Sequence, residues 1–203
     1  PVNLVTAFPP GSGPDAVLRQ VADKLGKLWG QPVTITNRPG GGGFVAIESG
    51  RRAAPDGYTL LQLDSEHLAA LPLLYKSRNF VTLQHFDPVA PLFRTPFLVA
   101  VPTDSKWKDM RDLLPAAKAA PGQVTYGSWG VGSPGHLAGE QLELLTQTSM
   151  SHVAYREVSQ LYTAVGAGDL QWAMASIPSS QGVFKSAKIR YIALAAPPRI
   201  THT

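Results

Sequence analysis

Residues 2–15, VNLVTAFPPGSGPD, decide how the rest of the chain is read. Residues 2–8 form a β-rich apolar run that stops at Pro9-Pro10-Gly11-Ser12-Gly13. Pro14-Asp15 then opens a helical pattern whose apolar positions Val17, Val21, Leu25 and Leu28 recur at spacings of four and three, which predicts a buried stripe. Gln31-Pro32 ends that helix, and residues 33–36 (VTIT) read as a second strand running into Asn37-Arg38-Pro39 and four glycines, Gly40 to Gly43. A short helix over 45–54 and the turn Pro55-Asp56-Gly57 lead to a third strand at 58–63. The order β-α-β-α-β predicts a parallel sheet covered by helices.

The same theme begins again downstream. Asp87-Pro88 and Pro91 punctuate the chain, residues 97–101 (FLVAV) are extended, and Pro102 ends them. A helix over 107–119 closes at Pro121-Gly122. Residues 124–128 are then a strand, 129–135 a Gly-rich turn and 137–145 a helix. A strand at 153–155, a helix over 159–167 closed by Gly168, a strand at 170–175, a short helix near 182–186 and an apolar run over 189–195 complete the pattern. Two α/β lobes are expected, over 1–96 and 103–188, with a hinge crossover at 97–102 and a segment at 189–203 that returns toward the first lobe. Ligands of open parallel sheets bind beyond the carboxyl ends of the strands, so the turns after Phe8 and Ser128 are expected to face a cleft between the lobes.

Composition excludes several classes. The 203 residues are 44% hydrophobic, and 18 Lys and Arg against 14 Asp and Glu give a formal charge of +4. That balance suits anionic ligands as well as an ordinary solvated surface. No basic run occurs and the aromatics are not interleaved with Lys or Arg, so no nucleic-acid partner is expected. The absence of cysteine rules out disulfides and thiolate metal sites. Histidines 67, 85, 136, 152 and 202 show no ligand spacing, so no metal is expected. No stretch has the apolar length of a membrane span.

The two turns carry the functional argument. A helix N-terminus leaves its first amides unpaired and bears roughly half a positive charge, so a Gly-rich turn feeding a helix suits an anion. In the first turn Phe8, Pro10, Gly11, Ser12, Gly13 and Asp15 are the candidates, with backbone amides and the Ser12 hydroxyl as donors. Asp15 reads more naturally as a cap on its own helix than as a ligand group. In the second turn the candidates are Ser128, Trp129, Gly130, Gly132, Ser133 and His136. Ser133 before Pro134 reads equally as an N-cap. Trp129 reads as a ligand wall or a core side chain, and His136 as a ligand donor or a helix-start residue beside the cleft. Gly40 to Gly43 reads chiefly as a connection.

Enzyme readings are weaker. Gly11-Ser12-Gly13 with Ala16, and GVGSPG at 130–135, fit dinucleotide fingerprints. Yet the acid such sites need after the following strand is replaced by Asn37-Arg38 and by Tyr155-Arg156, and Pro14 and Pro134 intrude. A nicotinamide-dependent oxidoreductase therefore remains an alternative only. No G-x-S-x-G and no G-x-x-x-x-G-K-[ST] occurs, so no catalytic residues and no cofactor are expected.

Four segments carry a family likeness: AFPPGSGPD (7–15), GQPVTITNRPGGGG (30–43), AAPDGYTLL (53–61) and YGSWGVGSPGHLAGE (126–140). Together they make the chain resemble the Bug-type solute-binding receptors of tripartite tricarboxylate transporters. The resemblance implies an α/β, two-lobed type II periplasmic-binding fold and a periplasmic location, the chain itself showing no signal segment. It also implies that the protein is no enzyme but a monomeric receptor that captures a small carboxylate and delivers it to membrane permease subunits. A ligand-sensing module for a signalling partner has the same geometry and stays open. Three departures from the family stand out. Gly11-Ser12-Gly13-Pro14 replaces a glycine run ending in Thr, removing one hydroxyl and one amide. Tyr155-Arg156-Glu157-Val158 replaces Tyr-Lys-Gly-Ser, and Glu157 would disfavour a second ligand carboxylate or pair with a ligand amine. The family continues beyond the point corresponding to Thr203 to complete the first lobe, which is therefore expected to be incomplete at its C-terminus; Pro197-Pro198-Arg199 reads as the entrance to that return. A fragment and a naturally short member are both compatible with this.

Overall fold

The computed structural model describes residues 1–78 and 80–196. The chain divides into two compact units, Pro1–Phe93 and Arg94–Thr203.

The first unit is built on three parallel strands, β1 (Val2–Thr6), β2 (Val33–Asn37) and β3 (Thr59–Gln62), in the order β2-β1-β3. Alternation along β1 sends neighbouring side chains to opposite faces. Leu4 packs with Leu18 and Ala22 of helix α1 (Gly13–Trp29), while Val5 packs with Ala46 of helix α2 (Phe44–Arg51). Beyond β3, a π-helical turn at Glu66–Ala70 and helix α3 (Leu71–Leu74) place Leu71 against Phe44, Ile47 and Phe80.

The buried face of α1 differs from the stripe that its large apolar residues suggest. Asp15, Leu18 and Ala22 are buried, Val17, Val21 and Leu25 are only half-buried, and Leu28 is 76% exposed. Beyond Leu18 the inward line therefore runs through the small residues Ala22 and Gly26. A Cβ on Gly26 would lie 3.3 Å from the Gln31 carbonyl oxygen, so the helix approaches the chain entering β2 at a place where no side chain fits easily. Close approach, not side-chain bulk, selects the face.

The second unit has a five-stranded sheet in the order β6-β5-β7-β4-β8. Strands β5 (Thr125–Ser128), β6 (Ser151–Ala154) and β7 (Trp172–Ala175) are mutually parallel, whereas β4 (Phe97–Pro102) and β8 (Ile189–Ala195) form an antiparallel pair and β4 also runs antiparallel to β7. Helices α4 (Met110–Ala119), α5 (Pro134–Thr146), α6 (Val158–Ala167) and α7 (Ile177–Lys185) accompany them. Two apolar clusters form the core. One gathers Trp107, Leu113, Tyr126 and Trp172, and the other Leu161, Tyr162, Val165 and Leu170. Gly139 lets α5 sit on Tyr126, since a Cβ there would fall 2.3 Å from the ring.

The segment 97–102, read from the sequence as a hinge crossover, is thus an interior strand. The run 189–195, read as the start of a return segment, stays in this sheet beside β4. Residues 197–203, including Pro197-Pro198-Arg199, lie outside the described residues. Helix α7 starts well before the expected 182–186 because Pro178 occupies its first turn, where a missing N–H costs nothing.

Candidate functional site

Each lobe carries one Gly-rich turn at the carboxyl end of its central parallel strand, and each turn is fastened chiefly to itself. In the first, Asp15 is 1% exposed and organises the loop. Its carboxylate accepts the Gly11 amide at 2.8 Å, Arg19 in a two-pronged contact at 2.9 and 3.1 Å, and the Asn37 side-chain amide at 2.8 Å. Burial pushes its pKa up, but the hydrogen bonds from Arg19, Asn37 and Gly11 outweigh that and hold it below the usual carboxylate range. Asn37 also donates to the Phe8 carbonyl, so the end of β2 is stapled to the end of β1. The Ser12 hydroxyl donates to the Pro9 carbonyl and accepts the Asp15 amide, and the Ser12 amide donates to Pro9 as well. Gly13, the first residue of α1, is left with an amide that has no partner among the described residues. Phe8 is half-buried with its ring edge-on to His67, and Pro10 is exposed.

Of the first-turn candidates, then, Gly11, Ser12 and Asp15 are committed to holding the turn's shape. Asp15 takes the structural role that its position at the helix start suggests.

In the second turn Ser128 is fully buried. Its hydroxyl accepts the Gly130 amide, lies 3.0 Å from the Gly130 carbonyl and meets His152 Nε2 at 2.7 Å. The Gly132 amide donates to His136 Nδ1 at 3.1 Å, and the Ser133 hydroxyl caps α5 by accepting the His136 amide. Trp129 is half-buried, its ring laid against Gly135 and 5.8 Å from Phe97, so it serves the core as well as the turn. The amides of Trp129, Val131 and Gly135 have no partner among the described residues. Gly130 and Gly132 have φ of +133° and +84°, conformations that side-chain-bearing residues rarely adopt.

Two groups of residues escaped sequence reasoning. His152 arrives from β6 beneath the second turn, and only the pairing of β5 with β6 brings it there. Glu140 could have been noticed, because it stands four residues after His136 on one helix face, and its carboxylate lies 3.4 Å from His136 Nε2. In the first unit Asp64 and His67 form a contact at 2.6 Å after β3, with His67 nearly buried against Gly43 of the third glycine turn. Beside them the carboxyl of Glu66 is pushed up to about 7, first by burial and then by the Asp64 charge.

Among the described residues no three His, Cys, Asp or Glu groups gather to hold a metal, and no helix is long and apolar enough to cross a membrane. A groove of about 670 Å³ follows α1 and β2, lined by residues such as Arg19, Ala22, Gly26 and Ile35, and no residue of either turn lines it.

Residues 17–202 match the model of the tripartite tricarboxylate transporter family receptor. The chain belongs to that family. BugT of Bordetella pertussis is 30% identical to it over 207 residues, covering 100% of this chain and 62% of BugT. A solved structure described as a periplasmic transporter superposes with a TM-score of 0.86 at 30% identity, over 98% of this chain and 67% of the other. Rpa4515 of R. palustris, solved with adipate, gives 0.85 at 27% identity, over 95% and 64%. The architecture is the α/β periplasmic-binding-protein fold. The chain spans 62% of the length of BugT and of a second Bordetella pertussis relative, so it corresponds to part of such a two-lobed protein.

Proposed function

We propose that the chain serves periplasmic capture of a small mono- or dicarboxylate for a tripartite tricarboxylate-type transporter, and that its work is binding rather than catalysis. The observation that carries this reading is the set of unpaired amides in the two turns, those of Gly13 and Gly135 in the first turns of α1 and α5 and those of Trp129 and Val131 in the loop before α5, in a chain of a receptor family. Amides at a helix start are pre-aimed donors, and a charged acceptor gains roughly 1.5–3 kcal/mol from each such hydrogen bond. A carboxylate held this way needs no Arg. Adipate in Rpa4515 supports an aliphatic acid of metabolite size as the ligand class. Membership of a transporter-receptor family supports delivery to permease subunits as the onward step.

Thermal unfolding against a panel of organic acids, amino acids and dinucleotides tests the proposal. An acid at a hundred times its Kd stabilises a native state by about 2.7 kcal/mol, which raises the midpoint by roughly 5–10 °C in a chain of this size. Stabilisation by NAD or NADP with none by any carboxylate would overturn it and favour the oxidoreductase.

Gly13→Pro sharpens the test. Proline is tolerated at the first helical position, and Ser12 already has the extended backbone a following proline requires (φ −69°, ψ 161°), so the change removes one N–H while adding a Cβ ahead of Pro14. A variant with wild-type circular dichroism should lose about 10- to 100-fold in acid affinity. Unchanged affinity would remove Gly13 from the site.

A further inference from the structure

We propose that His136 is a proton-sensitive positioning residue for the second turn: neutral, it fastens Gly132 from beneath, and protonated, it releases it. The Gly132 amide donates to His136 Nδ1 at 3.1 Å. A nitrogen that accepts carries no hydrogen, so the His136 proton resides on Nε2, which faces the Glu140 carboxylate at 3.4 Å. Adding a proton at Nδ1 sets donor against donor. Gly132 is buried, so its amide would then lack both its acceptor and water.

His152 holds the other end of the turn in either charge state: the Ser128 hydroxyl hydrogen is directed at the Gly130 carbonyl at 3.0 Å, so its oxygen accepts from His152 Nε2 at 2.7 Å and from the Gly130 amide. The two imidazole rings lie 4.3 Å apart between centroids, so charging one opposes charging the other. Their remaining titratable neighbours come from two elements. Tyr126 of β5 stacks 5.0 Å from His152 and donates its hydroxyl to Glu140, and Glu140 and Glu143 come from α5. Trp172 of β7, uncharged, lies against Tyr126. Glu140 favours an imidazolium, but it faces the nitrogen that already bears hydrogen in the neutral ring, and it is 57% exposed, so solvent screens it. Burial first, and the nearby His136 second, hold His152 neutral to lower pH than usual.

The consequence for ligand rests on the carboxylate reading above. The unpaired amides of Val131 and Gly135 flank Gly132, so acid that loosens Gly132 also disperses the donors and weakens grip.

The test reads the turn without ligand, so it stands or falls independently of that reading. In the 15N-glycine-labelled chain, titrated from about pH 8 to about pH 5 with assigned spectra, the Gly132 amide signal should move with the midpoint of the His136 ring protons. His136→Asn keeps an acceptor near the Nδ1 position but does not titrate, so it should abolish the Gly132 shift. His152→Gln keeps a partner for Ser128 and should leave the Gly132 shift in place. A stationary Gly132 signal, or a Gly132 shift that persists in His136→Asn, would overturn the proposal. If His136→Asn fails to fold, His136→Gln decides by the same criterion.

Discussion

The carboxylate of Asp15 accepts the backbone amide of Gly11 at 2.8 Å, so an acid of the helix start closes the turn that precedes it. The folded-state pKa of Asp15 is depressed, and the stability this contributes is present above the unfolded value of about 3.9 and is lost as pH falls through the folded value. Asp15→Asn should cost about 1–3 kcal/mol at neutral pH, because Arg19 and Gly11 lose a charged acceptor. Urea unfolding measured at pH 7 and again near pH 3 should show the gap between wild type and variant narrowing in acid. Equal stability at pH 7 would mean that the Asp15 cluster is dispensable.

Gly43 is more constrained than glycines of similar backbone conformation. Its φ is +86°, and a Cβ would fall 2.1 Å from His67 Nε2, whereas Gly57 at +80° has open space around it. Gly57→Ala should cost about 1 kcal/mol from backbone strain alone. Gly43→Ala should cost at least about 2 kcal/mol by adding displacement of a nearly buried histidine. Chemical denaturation of the two variants side by side measures the difference, and equal losses would show that His67 moves aside freely.

Glu66 makes the opposite pH prediction from Asp15. Its carboxyl is raised from 4.5 to about 7, so the folded state holds the proton more tightly than the unfolded chain. Stability on its account is complete below about 4.5 and declines as pH rises through 7. Glu66→Gln should remove that decline, stabilising the chain at pH 8 by up to about 2 kcal/mol while changing little at pH 4.5. A variant less stable than wild type at pH 8 would show that the ionised carboxylate is needed there.

The order of elements was legible in the sequence because Pro and Gly punctuate it: Pro9-Pro10, Pro55-Asp56-Gly57 and Pro121-Gly122 all fall between elements, where a restricted φ or a missing N–H does no harm. Which face of α1 turns inward was not legible. Val17, Val21, Leu25 and Leu28 form a plausible stripe, but Ala22 and Gly26 permit the closer approach to β2, and periodicity alone does not weigh distance against bulk. The turns were recognisable as Gly-rich strand-to-helix loops, yet which of their donors stay unpaired depended on partners that spacing does not reveal. Gly11 is answered by Asp15 from within the same segment, Gly132 by His136, and Ser128 by His152 from a neighbouring strand. The same holds for Asn37. Its place after the second strand was informative as the lack of an acid, while its work in tying Phe8 to Asp15 emerges only when β1 and β2 are paired.

In the second unit Phe97 at the start of β4 stands directly opposite Ala195 at the end of β8, with one irregularity of register between Val99 and Ala100. The first and last strands of this unit therefore bring Phe97 and Ala195 side by side, the geometry of a module that can be spliced into a host chain without stretching either. It also means that the pairing of the edge strand β8 with β4 closes a long loop. Local βα pieces such as β5-α5-β6 can form first, and the seam that joins entrance to exit is a late event of folding.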